Sequence, residues 1–244
     1  MRFFWRLGAI PERTEFPALN AAPVIPDGYP RWKETMDNFG DYMLAAALVV
    51  AQLLAIGLQL PSDAFTKLMH QAPHLLAPTG SDMGASPVGT ILAGFHQDLN
   101  FLSVHSKSRY PGLYIWNRDG TRMAAKVPEG CLLVQAGLQA EYLTGGAILA
   151  GYHEVVVTEA AKERAKSGGT GWRVSSTVFS HIASDATLTP LIPTAETDKY
   201  PKVLAGDQVF AALNAIKLAR AAETEEYPSG TSKSPPPIEA PIEA

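Results

Sequence analysis

The stretch Gly89–Val104, GTILAGFHQDLNFLSV, decides the fold. Apolar, β-branched and aromatic residues surround a short polar centre, a pattern that predicts strand rather than helix. Side chains at i and i+2 of a strand share a face, so His96 and Asp98 point one way and Gln97 the other. Two later stretches follow the same rule. Ala147–Thr158 (AILAGYHEVVVT) predicts a strand with His153 on a face shared by Leu149, Gly151, Val155 and Val157. A glycine on that face leaves room for a ligand to approach. Trp172–Phe179 (WRVSSTVF) predicts a third strand, with Arg173, Ser175, Thr177 and Phe179 on one face.

These residue types suit a particular chemistry. Two histidines and one carboxylate occupy one face of an octahedral iron(II) site and leave the opposite face open. An arginine with a hydroxyl two residues on grips a carboxylate through paired N–H donors and one O–H. A His-x-Asp pair, a lone strand histidine or an Arg-x-Ser pair is commonplace by itself. The information lies in all three occurring in this order, each on a predicted strand. His96, Asp98 and His153 are therefore the candidate metal ligands, and Arg173 and Ser175 the candidate carboxylate grip.

Further stretches carry a family resemblance. Tyr110–Trp116 (YPGLYIW) is similar to a Pro-Gly-Leu hairpin entry, and Lys126–Gly137 (KVPEGCLLVQAG) to a proline-glycine turn leading into a strand. Tyr142–Val157 (YLTGGAILAGYHEVVV) is similar to a strand and turn that deliver a distal histidine. With the motifs above, the chain resembles the isopenicillin N synthase-like branch of the iron(II)/2-oxoglutarate dioxygenases over Arg31–Ile182. The resemblance implies a mainly β fold with flanking helices, built on a double-stranded β-helix (jelly-roll) core. It also implies Fe(II) on His96, Asp98 and His153, 2-oxoglutarate held by Arg173 and Ser175, and O₂ as co-substrate. The expected reaction couples decarboxylation of 2-oxoglutarate to oxidation of a small carboxylate-bearing metabolite. Phe95, Tyr114 and Phe179 are the candidates for shielding that chemistry.

The chain departs from the family pattern in three places. Little sequence precedes Arg31, so the family's N-terminal lobe is expected to be truncated. His74–Pro78 (HLLAP) lacks the tyrosine relatives carry before the first ligand, and Glu154 stands where many have arginine. Two alternatives stay open. One is an isopenicillin N synthase-like oxidase that needs no 2-oxoglutarate, with Arg173 and Ser175 on the substrate carboxylate. The other is a non-catalytic jelly-roll.

Composition narrows the classes. The chain has 244 residues, 46% hydrophobic, enough for one domain with a sizeable core. A net charge of −4 without a Lys/Arg cluster argues against nucleic acid as partner. The single cysteine, Cys131, permits no intrachain disulfide and fits the cytoplasm; its apolar surroundings predict burial. Met43–Leu60 (MLAAALVVAQLLAIGLQL) is as long as a membrane span, but Gln52, Gly57 and Gln59 interrupt it. It reads as a buried helix, so no membrane partner is expected.

Residues 1–222 form the expected catalytic domain. Met1–Leu7 is strand-like, Arg31–Gly57 helical with Trp32, Met36, Phe39, Tyr42, Met43 and Ala46 at helical spacing, and a second helix is expected from Pro61 to Gln71. Asn117–Gly120 (NRDG) signals a hairpin. Glu159–Gly171 reads as a short helix and a glycine loop suited to a lid, and Asp207–Ala221 as a last helix. Residues 223–244 are proline- and acid-rich and expected to be disordered. His70, His74, His105 and His181 are read as structural; His105 is the best of them for a pocket role, but its odd offset from His96 puts it on the other face unless a bulge intervenes.

Overall fold

A computed structural model describes residues 1–167, 170–194 and 196–226. The first half contains β1 (Trp5–Leu7), α1 (Trp32–Gly57), β2 (His74–Asp82), β3 (Ile91–Gln97), β4 (Leu102–His105), β5 (Leu113–Trp116) and β6 (Arg122–Ala124). The second half contains β7 (Leu133–Ala136), α2 (Leu138–Leu143), β8 (Tyr152–Val156), α3 (Glu159–Lys166), β9 (Trp172–Ser180), β10 (Thr187–Leu188), β11 (Val203–Leu204) and α4 (Ala205–Glu226). One antiparallel sheet runs β1-β2-β9-β4-β7 and a second runs β3-β8-β5-β6. Non-consecutive strands pair in both sheets, as the jelly-roll expectation requires.

The helix α1 packs across the five-stranded sheet. Met36, Met43 and Ala47 meet Trp5, Leu7, Leu76, Val104 and Val178 in one buried cluster. Gly40 lies in this seam; a Cβ there would collide with the Leu7 side chain, so glycine permits the close approach. Trp5 is 1% exposed, and its indole N–H donates to Asp37 at 2.8 Å, anchoring β1 to the helix. By length and composition α1 could cross a membrane, but this face is committed to the sheet. The residues read at helical spacing do not share one face: Met36 and Met43 are buried, whereas Phe39 is 42% and Tyr42 81% exposed. The buried row instead continues through small residues, Ala47, Ala51 and Ala55.

Other boundaries moved for local reasons. The predicted strand Gly89–Val104 is two strands, β3 and β4, in different sheets, with Asp98 in the corner between them. Pro61–Gln71 is a run of turns rather than a helix: i+3 bonds such as Ala64 N–H to Pro61 and Leu68 N–H to Phe65 replace a continuous i+4 ladder. Tyr142 lies in the last turn of the short helix α2 rather than in a strand. Cys131 precedes β7 and is exposed, not buried. The Asn117–Gly120 hairpin joins β5 to β6 as expected. Thr158 caps α3 by accepting from the Ala161 N–H. Gly168 and Gly169 of the suggested lid lie outside the described residues. So do residues 227–244 of the expected disordered tail, whose first four residues, 223–226, belong to α4.

His74 and His181 knit the sheet to its flank as neutral rings. His74 Nδ1 accepts from the backbone N–H of His181 at 3.0 Å, which leaves Nε2–H to donate to the Met69 carbonyl at 3.1 Å. Burial, with the nearby Arg6 charge, pushes His74 down to about 4; burial, then the charge of His74, pushes His181 down to about 3. The unfolded chain takes up these protons near pH 6.5 and the folded chain resists. Stability is thus complete above pH 6.5 and falls as pH drops toward 4, by on the order of 3 kcal/mol for each histidine. Thermal melts from pH 7.5 to 4.5 should show the melting temperature falling through this window. A flat profile would show that neither ring is held neutral.

Candidate active site

The candidate ligands converge because the two sheets meet at Asp98. His96 on β3 pairs directly with His153 on β8 across the antiparallel ladder, and the rings lie 4.3 Å apart, centroid to centroid. Register shifts around Ala93 put a bulge immediately before His96, a common device for re-aiming a side chain beside a site. Asp98 follows, 7% exposed, with Oδ1 3.5 Å from His96 Nε2 and 3.9 Å from His153 Nε2. The three ligand atoms lie within 4.8 Å of one another. The shared face expected of His96 and Asp98 is therefore real, although it arises from a strand end and a corner rather than from continuous strand.

The corner is stapled in place. The Asp98 carbonyl accepts from the Leu138 N–H at 2.8 Å, Asn100 from Gln139 at 3.1 Å, and Phe101 from Gly137 at 2.9 Å. The Ser103 hydroxyl donates to Asp98 Oδ2 at 2.6 Å and fixes the carboxylate rotamer. Burial pushes the Asp98 carboxyl up, but the His96 hydrogen bond, the His153 charge and the Ser103 hydroxyl outweigh it and hold it down to about 2. Burial depresses His96, and the hydrogen bond and charge of Asp98 more than restore it, so its net shift is upward. Burial dominates at His153, which is shifted down.

This donor set fits a divalent iron. His96 Nδ1 lies 2.6 Å from the Gly94 carbonyl and holds a proton there, so loss of the Nε2 proton shared with Asp98 would free the Nε2 lone pair for a metal. The site offers two imidazoles and one ionised carboxylate on one side of a cavity. That is the two-histidine, one-carboxylate set of non-haem iron(II) sites.

The cavity encloses about 1070 Å³ and brings all five candidate residues together. β9 delivers Arg173, Ser175, Thr177 and Phe179 to its wall, while Trp172 and Val174 face solvent, as the strand parity predicts. Arg173 is 6% exposed and donates to the Ser175 hydroxyl at 3.2 Å. Its Nε is buried without a partner, and among the described residues no carboxylate lies within ion-pair distance. Burial alone lowers its pKa. A buried guanidinium without a counter-ion is costly, and an anionic ligand resolves the cost.

Several expectations need correction here. Phe95 and Tyr114 do not shield the cavity. Phe95 stacks on Tyr152 and meets Trp116 edge-on, while Tyr114 lies under Arg122, all on the other side of the second sheet. Phe95 precedes His96 in the strand, and that one-residue offset turns it outward. Glu154 is turned outward by the same offset from His153 and pairs with Arg122, so its departure from the family pattern does not touch the cavity. Leu149 precedes β8 and is 39% exposed rather than sharing the His153 face.

His105 and His181, read as structural, both line the cavity. The odd offset of His105 from His96 suggested the opposite face, but the Asp98 corner resets the alternation. His105 Nδ1 lies 3.0 Å from Thr177 Oγ1, and its ring is 6.1 Å from that of His153. Burial pushes His105 down to about 4. Arg2, not singled out in the sequence, and Tyr110 of the YPGLYIW stretch also line the cavity.

No protein-family model matches the chain. It is 23% identical over 208 residues to a 2-oxoglutarate-dependent dioxygenase of Gibberella zeae, covering 82% of this chain and 54% of that protein. Among solved structures, a protein assigned to the 2OG-Fe(II) oxygenase family from Caulobacter crescentus superposes with a TM-score of 0.73 at 27% identity, covering 87% of this chain and 69% of that one. A full-length Neurospora crassa protein in complex with alpha-KG gives 0.68 at 19%, covering 87% and 65%. The chain thus spans about half the length of the curated relative it matches. The fold, these likenesses and the His-x-Asp…His arrangement are consistent with the Fe(II)/2-oxoglutarate oxygenase superfamily.

Gly137 tests the corner. A Cβ there would overlap the Asn100 carbonyl oxygen and lie 2.9 Å from that of Asp98, backbone atoms that cannot swing aside. Gly137→Ala should lower the melting temperature and weaken Fe(II) binding at least ~10-fold, whereas Ser103→Ala, which removes one hydrogen bond, should cost only a few-fold. Calorimetric Fe(II) titration under anaerobic conditions checks both; equal affinities in all three proteins would detach the corner from the metal site.

Proposed function

We propose that this chain is an Fe(II)- and 2-oxoglutarate-dependent oxygenase of the isopenicillin N synthase-like branch, acting on a carboxylate-bearing small molecule. The observation that carries the proposal is a buried, unpaired Arg173 with Ser175 beside it, in the same cavity as His96, Asp98 and His153. In this reading the triad holds Fe(II), and Arg173 and Ser175 hold the distal carboxylate of 2-oxoglutarate. Iron bound there supplies the O₂ chemistry that couples conversion of 2-oxoglutarate to succinate and CO₂ with oxidation of a substrate C–H bond. The protein's own residues do the positioning. Arg173 presents paired N–H donors and Ser175 one O–H, fixing one end of the cosubstrate, while the imidazoles and Asp98 fix the other by holding the metal.

The cavity supports an anionic substrate. Arg2, Lys107, Arg109, Lys126 and Arg164 line it in addition to Arg173, against only Asp98 and Glu129. The chain as a whole carries −4, so its positive potential is focused at this mouth. Lys107 is bonded to Glu129 at 2.6 Å, and the other cations remain available for a substrate carboxylate. Val209, Leu213 and Ile216 of α4 supply an apolar wall. The volume exceeds what one cosubstrate needs and leaves space for a second small molecule. The exposed Cys131 thiol is at home in a reducing compartment, and we place the chain in the cytoplasm on that ground.

Succinate release from Fe(II), 2-oxoglutarate and O₂ tests the reading and separates it from an oxidase that needs no 2-oxoglutarate. His96→Ala, Asp98→Ala or His153→Ala should abolish succinate release with the far-ultraviolet circular dichroism unchanged. Full turnover in any of them would remove that residue from the metal site. Arg173→Ala should raise the 2-oxoglutarate KM by roughly 10–100-fold, the worth of a charged paired hydrogen bond. An unchanged KM would give the arginine to another ligand.

A further inference from the structure

The helix α1 carries a second apolar face that nothing in the described residues covers. Phe39, Tyr42, Val49, Leu53 and Ile56 are 42%, 81%, 53%, 62% and 57% exposed, and Ala46 is half-buried among them. Their spacing alternates strictly between three and four residues from Phe39 to Ile56, the a/d pattern of a helix that packs against another helix. At about 100° per residue they occupy a sector about 100° wide, roughly 140° around the axis from the Met36–Gly40–Met43–Ala47–Ala51–Ala55 row. That row packs on the sheet, so the exposed face points away from the domain. From Tyr42 to Leu60 the chain contains no charged residue.

We propose that this face pairs with its copy on a second chain, as an antiparallel helix pair related by a two-fold axis. The face is self-complementary about its own middle. Antiparallel pairing sets Phe39 against Ile56 of the partner, Tyr42 against Leu53, and Ala46 against Val49, so each aromatic meets an aliphatic side chain. The small Ala46 near the centre lets the two axes approach. Such a contact is isologous and closed, which makes a dimer rather than a fibre. The exposed parts of these side chains amount to roughly 500 Å² per copy, or about 1,000 Å² for the pair, the lower bound for a specific interface. A contact of that size suits a reversible dimer and leaves the cavity on the opposite side of the sheet open. It does not depend on the iron reading.

Sedimentation of the full chain up to about 100 µM tests this. The expected result is a concentration-dependent rise from 26.1 kDa to twice that mass, abolished by Leu53→Glu without a fall in melting temperature. A mass of one chain throughout, or a dimer that survives Leu53→Glu, would overturn the proposal. Cross-linking in a Cys131→Ser background tests the direction. A mixture of Tyr42→Cys and Leu53→Cys chains should form a disulfide-linked dimer on mild oxidation, and Tyr42→Cys alone should not. Efficient self-linking of Tyr42→Cys would mean a parallel pair and contradict the geometry. Flotation with phosphatidylcholine vesicles that Leu53→Glu abolishes would assign the face to lipid instead.

Discussion

A single buried carboxylate organises this protein. Asp98 is 7% exposed and sits where the chain leaves one sheet and enters the other, between two imidazoles. An ionised carboxylate removed from water must be compensated by charge and hydrogen bonds. Here His96, His153 and the Ser103 hydroxyl supply that compensation, and it keeps the carboxyl ionised far below neutral pH. The surrounding backbone serves the same end. Residues 137–139 hold the corner from one side, and the β3–β8 ladder places both histidines from the other. The site therefore belongs to the junction of the sheets rather than to either sheet, and the closure of the jelly-roll and the assembly of the triad are one event.

In the same cavity as this anionic corner stands its complement, the Arg173 guanidinium on β9. Arg173 is as buried as Asp98 but has no carboxylate partner among the described residues. One pole of the cavity carries a carboxylate suited to a cation, and the other carries a guanidinium suited to an anion. A metal ion bridged to a dicarboxylate satisfies both, which is why a 2-oxoglutarate enzyme is the reading that leaves fewest buried charges uncompensated. The remaining cations around the mouth extend the same preference to the substrate. Across the sheet, α1 turns one face inward through Met43, Ala47 and Ala51 and presents the other to solvent. Its length and apolar composition are explained by two packing surfaces rather than one.

Much of this was legible in the sequence where a local rule decides it. Strand parity placed Arg173, Ser175, Thr177 and Phe179 together, and His96, Asp98 and His153 do converge as their order along the chain suggested. The alternation failed where the chain turned a corner: His105 was assigned to the wrong face because no composition signal marks a strand break at Asp98. Asn100, followed by the β4 strand, was the available hint, since asparagine favours turns over continuous strand. Phe95 faces outward because it is offset by one residue from His96, and Tyr114 lies on that outer face beneath Arg122. On α1 helical spacing was correct, yet spacing cannot say which of two apolar faces meets the sheet. The small residues Gly40, Ala47, Ala51 and Ala55 mark the inner face, because close packing on a sheet selects small side chains. Arg2 could not be found locally at all, since only the pairing of the N-terminal segment with Thr79 brings it to the cavity.

The most direct test of this account is an anaerobic titration of the purified chain with Fe(II) and 2-oxoglutarate, followed by visible absorption. The account predicts a weak metal-to-ligand charge-transfer band that requires both components, saturates at one iron per chain and is absent from Asp98→Ala. Iron binding without the band would contradict the assignment of Arg173 and Ser175 to 2-oxoglutarate, and no iron binding at all would contradict the metal site itself.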